Sequence, residues 1–183
     1  MGGLAPPERL RPLSDAELAR IFDVARCPVR LLTLAPEVDG ALALIRKLTR
    51  RGVRVAISHT EADYATAMAA IEAGATQATH VFNTFRFARN CRDPRALEAV
   101  LLDERVVAQL IADFIHVSEP FIRLLLRLKG SGRVALITDA LREAGMPDAP
   151  PVMRAPDGRI LGSTIRMVDA VRNIVVRLGL PPE

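Results

Sequence analysis

Five short apolar runs recur along this chain, and segments with helical periodicity separate each from the next. The runs cover residues 29–34, 53–58, 76–82, 106–112 and 134–138, and they are rich in Val, Ile, Leu and Ala. A strand with so few polar positions needs cover on both faces, which a parallel sheet flanked by helices supplies. The intervening helices are punctuated accordingly. Ser14 and Glu17 form a capping box ahead of Leu18, Ile21, Phe22 and Ala25. Helices over 40–51 and 61–73 stop at Gly52 and Gly74, where a left-handed residue ends a helix cheaply. A helix spans 95–103, another runs from a Ser118 cap to Gly130, and a Pro- and Gly-rich loop over 145–158 leads to a last helix over 164–178. Strands alternating with helices in this way predict an α/β fold with a parallel sheet. Periodicity alone leaves a doubly wound sheet and a closed barrel both open.

Half of the 183 residues are hydrophobic, which suits one domain over 1–183 with a sizeable core. With no Trp and 4% aromatic residues, that core is aliphatic. The net charge of +4 comes from arginines spread along the chain without aromatic interleaving, a solvated surface rather than a nucleic-acid face. Cys27 and Cys91 lie far apart with no paired spacing, so neither a disulfide framework nor a zinc ribbon is expected. No signal-peptide pattern and no apolar run long enough to span a bilayer is present, and the expectation is a cytoplasmic protein without membrane partners.

The unusual polar residues fall at the carboxyl ends of the apolar runs. Glu37 follows the first, His59 ends the second, His80 lies in the third, His116 follows the fourth, and Asp139 ends the fifth. In a barrel these ends converge on one mouth, so catalytic groups project from several strands at once. Neutral imidazoles hold a divalent ion such as zinc, and a nearby carboxylate relays a proton from water to a leaving group. His59 and His80 stand one strand-helix unit apart, as two ligands would. Each residue also has a plainer use. His59 can cap the helix after it, His80 can be a bonded core histidine, Asp139 can cap a turn, and Glu37 can serve a helix dipole.

Seven ordered motifs then resemble the N-acetylglucosamine-6-phosphate deacetylases of the amidohydrolase superfamily. They are Thr33-Leu34-Ala35-Pro36-Glu37, Ser58-His59-Thr60 followed by Tyr64, the run from Ala73 to Asn83, Arg92-Asp93-Pro94, the run from Ile111 to Val117, Ile137-Thr138-Asp139-Ala140, and Leu161-Gly162-Ser163-Thr164. The resemblance implies a partial TIM (β/α)8 barrel of the metal-dependent hydrolase type with about five βα units. It implies His59 and His80 as metal ligands, for zinc first and iron or another divalent ion next, and Asp139 as the catalytic acid–base. It implies Asn83 and Thr84, Arg92 and His116, and Leu161 and Gly162 as substrate-binding residues. Arg92 and His116 would hold the sugar phosphate, where a planar guanidinium forks onto two oxygens. The implied reaction releases acetate from N-acetylglucosamine-6-phosphate, a small amino-sugar phosphate, in a homodimer whose neighbour helps enclose the ligand.

The chain also departs from the family pattern. The family's metal-binding glutamate stands in a His-Leu-Glu-Gly-Pro segment upstream of where Met1 falls, and Glu37 belongs to another motif. Ser58 replaces a glycine, Asn83-Thr84-Phe85 replaces Asn-Ala-Met, and Phe114 and Arg95 replace glycines. These changes put bulk beside the pocket, where backbone approaches a ligand. They keep a second reading in play, a catalytically impaired remnant or sugar-phosphate-binding scaffold. Five units of an eight-unit barrel would also leave two open sheet edges, which predicts an associating chain.

Overall fold

The computed structural model describes residues 12–180. The described residues divide into two compact units, one holding residues 12–79 and 84–106, the other 80–83 and 107–180. The strand-helix alternation is present in both, and the five strands of the repeated units are parallel, three in the first unit and two in the second. The fold is mixed α/β.

In the first unit, α1 (Asp15–Val24) opens with the expected capping box: the Ser14 hydroxyl accepts from the Glu17 amide, and the Glu17 carboxylate accepts from the Ser14 amide. Then come β1 (Leu31–Leu34), α2 (Ala41–Arg50), β2 (Arg54–Ile57), α3 (Tyr64–Glu72), β3 (Ala75–Ala78) and α4 (Ala96–Leu102). Strand β2 pairs with β1 from Leu31–Arg54 to Leu34–Ile57, and with β3 up to Ile57–Ala78. Its Val55, Ala56 and Ile57 are fully buried, as a strand covered on both faces requires. Ile45 and Leu48 of α2 and Ala67 and Ala70 of α3 are buried as well, and the small alanines let helices and strands approach closely. Gly74 has φ +117, and a Cβ there would stand 2.6 Å from the Thr49 hydroxyl, so only glycine ends α3 at this spot.

In the second unit, β4 (Val107–Ile111) pairs with β5 (Val134–Ile137) in parallel, with α5 (Glu119–Lys129) between them. Strands β6 (Val152–Arg154) and β7 (Ile160–Ser163) form an antiparallel hairpin, and α6 (Met167–Arg172) runs into a π-helical turn over Asn173–Arg177. Leu110, Ile111, Ile122 and Leu125 are its fully buried centre. All four residues of β5 are half-exposed, and α5 carries Phe121, Leu124 and Leu128 on its exposed side.

Four local expectations change. The third strand stops at Ala78, because His80 and Phe82 take left-handed backbone that no strand continues through. The loop over 145–158 contains β6, since Pro150 and Pro151 precede the strand instead of interrupting it. The last helix begins at Met167 rather than 164, Thr164 being drawn back to Pro150, whose carbonyl accepts from the Thr164 hydroxyl. Ser118 stands at the N-cap of α5, but its side chain makes no capping hydrogen bond.

Candidate active site

His59, His80 and Asp139 share one backbone address. Each lies two residues past the end of its parallel strand, β2, β3 and β5 respectively, and each is left-handed, with φ 51°, 34° and 49°. Among the described residues, the only other non-glycines at positive φ are Phe82 and Phe114, in the loops after β3 and β4. Left-handed backbone costs a non-glycine residue about 1–2 kcal/mol and persists where its surroundings hold it. Here the strained positions coincide with the residues of chemical interest, and the surrounding hydrogen bonds show what holds them.

In the first unit the hold on His59 is a hydroxyl network. The His59 amide donates to the Thr84 hydroxyl at 3.1 Å, the Thr84 and Ser58 hydroxyls meet at 2.8 Å, and the Ser58 hydroxyl donates to the Thr79 carbonyl at 3.1 Å. The Thr60 amide donates to the Thr84 carbonyl at 3.2 Å. Glu37 closes the arrangement: its carboxylate accepts from the Thr60 hydroxyl at 2.5 Å and from the Glu61 amide at 2.7 Å, tying the loop after β1 to the loop after β2. Thus Ser58 and Thr84, two departures from the family pattern, bond to each other, and Ser58 is fully buried. Arg92 is exposed on the loop before α4, and its amide donates to the Asn90 side chain at 2.9 Å.

In the second unit three titratable groups come together. His80 is buried, and burial pushes its imidazole below the ordinary value; the Asp139 carboxylate opposes that shift, and His116 adds to it. His80 is thereby kept as a neutral base, the form that binds metals or protons. The turn that carries it is fixed by the Val81 amide donating to the Gln109 carbonyl at 2.8 Å. Asn83 is folded back on the same turn, its amide and side-chain Nδ2 both donating to the His80 carbonyl at 3.1 and 3.2 Å.

Asp139 is exposed and is positioned through its backbone. The Ser163 amide of β7 donates to its carbonyl at 3.2 Å, and the Leu141 amide donates to the Ser163 carbonyl at 2.9 Å. Gly162 lets β7 approach: a Cβ there would stand 2.9 Å from Leu141 Cγ and 3.0 Å from the Asp139 carbonyl oxygen. Leu161 precedes it on the same strand. The second unit therefore joins His80, Asn83, His116, Asp139, Leu161 and Gly162, while His59, Thr84 and Arg92 belong to the first.

Sequence alone gives no role to Asp113, although an aspartate three residues before a histidine and just past a strand is a visible signal. Its Oδ2 lies 2.6 Å from His116 Nδ1, and its Oδ1 accepts the amides of Ile115 and His116 at 2.8 Å each. Burial works to raise the Asp113 carboxyl, but the His116 ring and the two amides outweigh it and hold the group below the usual carboxylate range.

A divalent ion finds suitable donor chemistry at the neutral His80, but not a full set. Among the described residues, no three His, Cys, Asp or Glu side chains converge in a way that could hold a metal.

No family model matches the chain. It is 37% identical to an N-acetylgalactosamine-6-phosphate deacetylase of Escherichia coli O157:H7, over 98% of this chain and 50% of that protein. It is 35% identical to an N-acetylglucosamine-6-phosphate deacetylase of Vibrio furnissii, over 99% of this chain and 48% of that protein. A crystal structure of the Mycobacterium smegmatis N-acetyl-D-glucosamine-6-phosphate deacetylase superposes with a TM-score of 0.88 at 38% identity, covering 98% of this chain and 50% of that one. Over nearly its whole length the chain is similar to N-acetylglucosamine- and N-acetylgalactosamine-6-phosphate deacetylases. It spans about half the length of the relatives it matches. Among the described residues, no helix is long and apolar enough to cross a membrane.

Proposed function

We propose that this chain serves the hydrolysis of the acetamide of N-acetylglucosamine-6-phosphate to glucosamine-6-phosphate and acetate, as part of amino-sugar catabolism. The observation that carries the reading is the pairing of buried His80 with Asp139 in its electrostatic reach, both at left-handed strand-exit positions. The Asp139 carboxylate takes a proton from the attacking water as the water oxygen bonds to the acetamide carbon. It then returns that proton to the sugar nitrogen as the carbon–nitrogen bond breaks. Asn83, Thr84, Leu161 and Gly162 line the substrate, and Arg92 and His116 hold its phosphate.

His59 and His80 are proposed as two donors of a divalent ion, zinc first and iron or another ion next, which would supply Lewis-acid chemistry. Among the described residues, no third His, Cys, Asp or Glu completes a group that could hold a metal. The same reading includes a partial TIM barrel, a cytoplasmic setting and a homodimer. The deacetylase from Escherichia coli O157:H7 is named for the galactosamine epimer and the one from Vibrio furnissii for the glucosamine epimer, so both sugar phosphates belong in the test.

A second reading, a sugar-phosphate-binding scaffold without turnover, is favoured by the incomplete donor set. Metal analysis followed by an acetate-release assay on both epimers separates the two. Metal-dependent acetate release supports the enzyme, and binding of the sugar phosphate without release supports the scaffold. Neither binding nor release removes both.

A further inference from the structure

The loop after β4 grips a histidine ring rather than only its backbone. We infer that Asp113 is a positioning residue that keeps a proton on His116 Nδ1 and so presents Nε2 to the sugar phosphate. The inference rests on the proposed function only for the identity of what meets Nε2.

The geometry leaves little choice of proton placement. The side chains of Asp113 and His116 are 1% and 6% exposed, so water does not compete for either. Oδ1 of Asp113 already accepts two amides, from Ile115 and His116, and Oδ2 faces Nδ1 at 2.6 Å. A carboxylate in this setting only accepts, so Nδ1 must donate, and Nε2 is the nitrogen left to exchange a proton with a ligand. The turn itself is clamped. Phe114, left-handed at φ 61°, lies under the Arg177 guanidinium at 4.1 Å, and Asn173 Nδ2 donates to the Ala112 carbonyl at 2.8 Å. The π-helical turn over Asn173–Arg177 thus holds both flanks of Asp113, and Asp113 in turn holds the His116 ring.

Asp113→Asn is the decisive variant because it keeps size and turn while reversing one hydrogen bond. The two amides require an acceptor, so the asparagine oxygen takes the Oδ1 place and its NH2 faces Nδ1. An NH2 donor there makes Nδ1 an acceptor and drives the ring proton to Nε2. Long-range 1H–15N spectra of the full chain at mildly alkaline pH, with His116 assigned by its own substitution, read this directly. The parent is expected to carry the proton on Nδ1 and the variant on Nε2, with unchanged backbone amide shifts outside residues 111–118. A phosphate oxygen only accepts, so the ring that holds it carries a second proton on Nε2, and the Asp113 carboxylate offsets the resulting charge. Without that carboxylate, glucosamine-6-phosphate affinity, read by titration, should fall by roughly tenfold or more.

A parent ring protonated on Nε2, or the same tautomer in both proteins, overturns the inference whatever happens to binding. If Asp113→Asn fails to fold, the parent's own spectrum still decides the tautomer. A tautomer that inverts between parent and Asp113→Asn, together with a parent that binds neither glucosamine-6-phosphate nor its galactosamine epimer, overturns the deacetylase reading and leaves the Asp113 assignment standing.

Discussion

The loops after β2 and β4 solve the same problem in opposite ways. Each carries a histidine of the candidate site, and each has a side chain where the family pattern has glycine, Ser58 in the first and Phe114 in the second. At the β2 exit, neutral hydroxyls bond the new side chain inward: Ser58 meets Thr84, and Thr84 holds the His59 amide. At the β4 exit the new side chain stays left-handed and leans on Arg177, while a carboxylate takes hold of the histidine ring. The first arrangement fixes the backbone that carries an imidazole, and the second fixes the imidazole's protons. Bulk at a glycine position is therefore no sign of a lost site by itself; what matters is whether the bulk finds a partner.

The largest expected effect lies at a third exit, after β5, where β7 fixes only the backbone of an exposed carboxylate. Asp139→Asn should keep sugar-phosphate binding and lose turnover by a factor of roughly a hundred or more, the scale of a lost proton-transfer group. Steady-state acetate release checks it, in any preparation with measurable activity; near-parental turnover would take Asp139 out of the mechanism.

His80→Ala is next and asks whether the strand-exit histidines act together. Zinc affinity, measured by competition with a chelating dye, should fall by roughly tenfold or more if His80 is a donor. Equal zinc binding by parent and variant would remove it from the proposed donor set.

Acid should separate the two histidine loops. Asp113 titrates below its ordinary 3.8 in the folded chain, so the unfolded chain binds more protons there. Its contribution to stability is complete above about pH 3.8 and is lost as pH falls through the folded value. Denaturant melts along this acid limb should therefore flatten in Asp113→Asn and keep their slope in Ser58→Gly; equal slopes in parent and Asp113→Asn would contradict the assignment.

The two glycine reversions give the smallest effects. Ser58→Gly and Thr84→Ala each remove one partner of a buried bond, and a double-mutant cycle should return a coupling of about 1 kcal/mol. Phe114→Gly relieves about 1–2 kcal/mol of left-handed strain but gives up about 0.5–1 kcal/mol of stacking under Arg177. Its net effect should be neutral to slightly stabilising, whereas Ser58→Gly destabilises. Reversions of the same sign and size would erase the contrast between the loops.

Much of this was legible in the residues. The alternation of apolar runs and helical segments located all five parallel strands, and the Ser14–Glu17 box gave the start of α1. The placement of His59, His80 and Asp139 near strand ends was readable too, but their shared left-handed backbone was not, because ordinary residues carry no mark of positive φ. Val81 and Phe82 extend the third apolar run past the end of its strand; Val81 is buried in a turn bonded to Gln109 instead. Strand β6 was hidden by the prolines before it. The grip of Asp113 on His116 joins residues three apart in a turn that no helical or strand period describes. The Ser58–Thr84 bond joins residues from different strand exits, which spacing along one chain does not reveal.

The hairpin of β6 and β7 has a consequence for how such a site is altered over time. Asp139 is located by the edge of β7 through main-chain groups, and the residues that join it to the hairpin form a mostly exposed connection over 142–151, which Thr164 fastens at Pro150 and Pro151. Main-chain anchoring is indifferent to side-chain identity, and lengthening a surface connection costs little, about 0.6 kcal/mol per doubling. The connection is therefore free to grow, shrink or change composition while the carboxylate keeps its address. Only Gly162 is denied that freedom, since any side chain there collides with the Asp139 carbonyl and Leu141. The hairpin thus separates what is open to selection from what is not: the surroundings of the carboxylate drift, and one hydrogen atom at position 162 does not.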